Sequence, residues 1–81
     1  MDTLDFGENY YSKTYLIKLI SSKFSKFRLD HREKENRNNE GWRNVEFYNG
    51  KVNGIKYLIK IVQNINVDQW RLVYITQLYQ S

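Results

Sequence analysis

His31 is the only histidine in the chain, and it stands among Arg28, Asp30 and Arg32. One acid–base residue beside a cationic clamp is the least that ribonuclease chemistry needs. The same run also reads as a solvated, charged turn of helix, because charge runs are usually solvated faces. Other chemistries lack their parts. Without cysteine there is no thiolate nucleophile, no disulfide and no thiolate metal ligand. A zinc site would need carboxylates beside His31, and no HxxxH or CxxC spacing occurs. No GxGxxG, P-loop or EF-hand spacing occurs either. The expectation is a protein that is not an enzyme and holds no cofactor or metal.

A second candidate set is cationic. Alternation along the chain predicts that Lys56, Lys60 and Arg71 share the outer face of a sheet, with Tyr48 and Glu46 on the same side. Together with Arg28 and Arg32 they make a nucleic-acid candidate, since sheets that present aromatics and cations bind single strands. Exposed lysines also protect a sheet against aggregation. Thirteen Lys and Arg against nine Asp and Glu give +4, a small charge for a nucleic-acid binder. Aromatic residues are 16% of the chain. Tyr57, Tyr74 and Trp70 are expected in the core, whereas Tyr10, Tyr11, Tyr15, Tyr48 and Tyr79 are the contact candidates.

These residues need elements to position them. Eighty-one residues make one domain, 1–81, of modest stability. From Glu8, apolar residues at Leu16, Ile17, Ile20, Phe24 and Phe27 recur at steps of three and four, the spacing of one helix face. Phe27, Leu29 and His31 alternate, which suits a strand beginning near Lys26; alternatively the helix runs on to about Asn36, with Glu33 and Arg37 as an i,i+4 pair. The longer helix is the reading adopted. Residues Arg37 to Gly41 are a loop in either case. Three strands follow: one around Val45 to Tyr48, one from Ile55 to Val62, and one from Trp70 to Leu78. The fold class is therefore α+β: one N-terminal amphipathic helix packed across a three- to four-stranded antiparallel sheet. The last strand is an open edge that invites a homodimer.

The segment Trp42 to Ile61 is the most specific. Two alternating runs flank Asn49-Gly50-Lys51-Val52-Asn53-Gly54, the signature of a β-hairpin. Val52-Asn53-Gly54-Ile55-Lys56-Tyr57-Leu58-Ile59-Lys60-Ile61 resembles the V-x-G-x-x-Y-x-I-x-V pattern of the cystatins, in particular the stefin branch. The family's tip reads Q-x-V-x-G; Gly50 stands at its glutamine position. The resemblance implies a helix crossing an antiparallel sheet and inhibition of papain-like cysteine proteases. It also implies that Gly50, Lys51, Val52, Asn53 and Gly54 act as the wedge, with Gly7 in an N-terminal arm and Tyr79 as a further contact.

The functional expectation is a small inhibitor or binding protein that blocks a larger protein. The alternative is a phage or mobile-element protein that inhibits a host nuclease or defence complex, or binds nucleic acid through its basic face. An AT-rich origin is read from nine Asn and seven Ile with no Ala and no Pro. Acidic residues at the start, where a signal peptide would be basic, together with the lack of cysteine, suggest a cytoplasmic protein. No apolar run long enough for a membrane span is present.

Overall fold

The computed structural model describes residues 9–36, 41–64 and 67–78. Helix α1 spans Lys13–Ser21. Ser12 caps it, with Oγ accepting from the Tyr15 amide at 3.3 Å. The Ser21 and Ser22 hydroxyls donate back to the carbonyls of Lys18 and Leu19 at 3.3 and 2.7 Å. They occupy acceptors that the ending helix leaves open. Strands β1 (Ser25–Asn36), β2 (Trp42–Val52), β3 (Ile55–Gln63) and β4 (Trp70–Gln77) follow. They form one sheet in the order β1-β2-β3-β4, every neighbour antiparallel.

The helix expected to run on to Asn36 ends instead at Ser21, and residues from Ser25 form a strand. As a strand, this segment pairs with β2 from Lys51 back to Trp42. That pairing satisfies the second backbone edge of β2, which a helix would have left open. Phe27 and Leu29 still pack against the core from the new conformation. The shift costs little burial and gains a ladder.

Directly opposed residues of antiparallel strands share a face. One face carries the cross-strand row Leu29–Tyr48–Ile59–Ile75, and beside it Arg32–Glu46–Ile61–Leu72. Tyr48, Ile59, Ile61 and Leu72 belong to a buried cluster with Leu16 and Ile20 of α1, Phe24, Tyr57 and Trp70. This is the inner face. Leu16, Ile20, Ile59 and Ile61 are fully buried, each worth about 1.5–3 kcal/mol of apolar transfer. The outer face carries the rows Glu33–Val45–Val62–Arg71, His31–Phe47–Lys60–Tyr74 and Arg28–Asn49–Leu58–Thr76. A second, smaller cluster of Val45, Phe47 and Val62 lies there, with Leu58 against it.

Two face assignments are thereby corrected. Glu46 and Tyr48 were expected outside; both are buried and face inward, and Val45 and Phe47 face outward. Burial of Glu46 is made tolerable by three donors: Lys13 Nζ at 2.6 Å, Arg32 Nε at 3.1 Å and the Tyr48 hydroxyl at 2.6 Å. Tyr74 was expected in the core. A register shift opposite Lys60 and Ile61 changes the phase of β4, so Trp70 and Leu72 stay inside while Tyr74 opposes Lys60 on the outer face, 40% exposed.

Candidate functional site

The hairpin end of the sheet holds a groove of about 480 Å³, lined by Lys26, Phe27, Arg28, Asn49, Gly50, Lys51 and Lys56. Each cation arrives by a different route. The register slips between Ser25 and Arg28, and Lys26 sits in that slip with φ +53°, a left-handed conformation rare for a residue with a side chain. A bulge of this kind re-aims side chains. Arg28 opposes Asn49 across β1 and β2, and Lys51 opposes Lys56 across β2 and β3. Like charges placed directly opposite each other destabilise a sheet. Among the described residues no carboxylate lines the groove. Asp30 reaches its lining residue Asn49, with Oδ1 accepting from Asn49 Nδ2 at 3.0 Å. Its pKa is lowered, chiefly by its hydrogen bond to His31, and Lys56 contributes to the shift.

Several charges elsewhere are held in ion pairs. Glu35 is held between Arg43 Nη2 at 3.1 Å and Lys60 Nζ at 2.7 Å, and its pKa is lowered by these bonds, Lys60 first. Lys60 Nζ stands 5.8 Å from the ring centroids of both Phe47 and Tyr74, which pins it over the outer apolar cluster. Burial pushes the Glu46 carboxyl up, but the bonds from Lys13, Tyr48 and Arg32 together hold it below its ordinary value. Burial and the bond to Glu46 push the Tyr48 hydroxyl up. A second hollow, of about 340 Å³, is lined by Lys13, Arg32 and Glu46 among others, so its cations already have their counter-charge.

His31 lies on β1, not on a helix turn. Its ring stacks on Phe47 at 4.4 Å, with Nδ1 2.6 Å from Asp30 Oδ2 and Nε2 2.9 Å from Glu33 Oε2. These two carboxylates raise its pKa, Asp30 foremost. Arg28 and His31 face outward, whereas Arg32 faces inward toward Glu46, so the two arginines do not clamp one site with His31. Among the described residues no group of His, Cys, Asp and Glu is arranged to hold a metal ion.

The sequence-derived sites divide in the same way. The turn is shorter than the six-residue connection expected: only Asn53 and Gly54 lie between β2 and β3, with φ +52° and +80°. Two successive positive φ values are those of a type I′ turn, which Asn-Gly suits. Both residues are exposed, and Ile55 beside them is 40% exposed. Gly50 is not at the tip but buried within β2 beneath Phe24; a Cβ there would stand 2.7 Å from Phe24 Cβ. Val52 packs partly against the inner core. Gly7 and Tyr79 lie outside the described residues. Of the nucleic-acid candidates, Arg28 and Lys56 meet in the groove; Arg32 and Lys60 are bound to carboxylates, and Arg71 opposes Val62 at the other end of β3. Of the tyrosine candidates, Tyr15 is 51% exposed and Tyr48 is core. Lys26 was missed, because its place depends on a bulge that leaves no periodic trace.

No family model, no curated protein and no solved structure matches the chain.

Proposed function

We propose that this protein acts without catalysis, by binding a larger protein through the hairpin end of its sheet and blocking it. The observation that carries this reading is the exposed Asn53–Gly54 turn, standing directly beyond the opposed pair Lys51–Lys56. A two-residue type I′ turn is a rigid projection that loses little entropy on docking. The cations behind it favour an acidic rim on the partner. In this reading α1 lies across the inner face and braces the projection, consistent with the shared cluster of Leu16, Ile20 and Tyr57. The likeness to cystatins makes a papain-like cysteine protease the named target. A phage or mobile-element origin would direct the same surface at a host nuclease or defence complex. A cytoplasmic setting fits both the composition and the described helix, which is not long and apolar enough to cross a membrane.

Titration of papain with the purified protein tests the named target. The expected result is a saturable loss of peptidase activity, weakened at least tenfold by Ile55→Asp, a change at an exposed position. Full papain activity at saturating protein removes the protease. Equal capture of a host partner by wild type and Ile55→Asp removes the hairpin.

A further inference from the structure

We infer that the groove between the β1 bulge and the β2–β3 hairpin is a binding site for single-stranded nucleic acid, with Lys26, Arg28, Lys51 and Lys56 taking the phosphates. Two features lead there. First, these four cations line one cavity, and none of them has a hydrogen bond or ion pair to a carboxylate among the described residues. By contrast Lys13 of α1 and Arg32, Arg43 and Lys60 of the sheet are each tied to a glutamate, while the other unpaired sheet cations, Lys34 and Arg71, stand apart from the groove. Second, Lys51 and Lys56 are directly opposed, an arrangement that costs stability in the free protein. A bound anion removes that cost.

An extended single strand suits the site better than duplex. The groove is short and open, and the outer face beyond it is closed off by the Glu35–Arg43–Lys60 ion pairs. Asp30 at the margin also disfavours a second phosphate row. This site does not depend on the hairpin tip docking a protein, and it survives if that reading fails.

The test is fluorescence anisotropy with labelled oligo-dT and oligo-rU over a salt series, with a labelled duplex and unlabelled poly-glutamate for comparison. Four phosphate contacts predict a slope of log affinity on log salt near −3. Arg28→Glu and Lys56→Glu should each weaken binding about tenfold or more, while Lys23→Glu, an equal change of net charge outside the groove, should leave it within about twofold. Lys51→Gln should weaken binding and yet raise the melting temperature, because it relieves the opposed pair; a merely structural lysine would not combine the two. The inference is overturned by a flat salt response. It is equally overturned if Lys23→Glu weakens binding as much as Lys56→Glu. Competition by poly-glutamate as effective as by oligo-dT would assign the groove to an acidic protein segment instead.

Discussion

At the scale of single residues, two glycines and one histidine carry opposite lessons. Gly50 has an ordinary backbone but no room: a Cβ would meet Phe24 Cβ, Cγ and Cδ1 at 2.7, 3.1 and 3.3 Å. Gly54 has open space around it but φ +80°. The first needs glycine for packing, the second for its backbone. Gly50→Ala should therefore destabilise by about 1–3 kcal/mol through overpacking against Phe24. Gly54→Ala should cost about 1–2 kcal/mol through left-handed strain alone. Urea denaturation distinguishes them: a compensating Phe24→Leu change should partly rescue Gly50→Ala and leave Gly54→Ala unaltered. His31 supplies a pH dependence with a definite sign. Its pKa is raised in the folded state by Asp30 and Glu33. The stabilisation is therefore fully present below the ordinary histidine value and fades as pH rises through the raised one. Chemical denaturation across neutral pH should show that decline, and His31→Ala should flatten it.

At the scale of elements, β1 is the decisive strand. Its Arg32 shares Glu46 of β2 with Lys13 of α1, so that one carboxylate ties helix and both strands together. Glu46 has a folded-state pKa below its ordinary value, so its contribution is present above that value and lost as pH falls through the lowered one. Glu46→Gln should weaken the charged bonds, destabilise the fold by roughly 1–3 kcal/mol and reduce the acid sensitivity of unfolding. A melt series at neutral and acidic pH checks both effects. The helical pattern of Leu16, Ile17, Ile20, Phe24 and Phe27 was legible because each of these residues does pack on the core. Its extent was not, because apolar spacing alone is silent about where a strand next door needs a partner. The inverted phase of β2 has a similar cause. Val45-Glu46-Phe47-Tyr48 alternates apolar and polar, but the polar pair is buried through mutual hydrogen bonding, which alternation does not register.

At the scale of the whole molecule, the sheet order leaves β2 and β3 with two neighbours each and β1 and β4 at the edges. The edges differ. β1 is dense in charge and breaks register twice, which deters strand addition. Among the described residues, β4 has an outer partner only at its start, where the Tyr11 amide donates to the Trp70 carbonyl at 2.8 Å and the Trp70 amide donates back at 2.6 Å. A nine-residue helix has little stability of its own. Hydrogen exchange should accordingly be slowest in β2 and β3, at Tyr48, Ile59 and Ile61, and markedly faster through α1 and the outer half of β4. Uniform protection across all four strands would contradict that ordering.

The amino-acid sequence by itself determined the class of fold, the β2–β3 hairpin and a residue set with one histidine and no cysteine. Those depend on local matters: alternation, an Asn-Gly pair and the residue types present. Only the tertiary structure decided which lysines and arginines remain without a counter-charge. Neutralisation is a property of cross-strand neighbours, so Arg32 and Lys60, alike in sequence to Arg28 and Lys56, end beside glutamates while the latter two converge on an open groove.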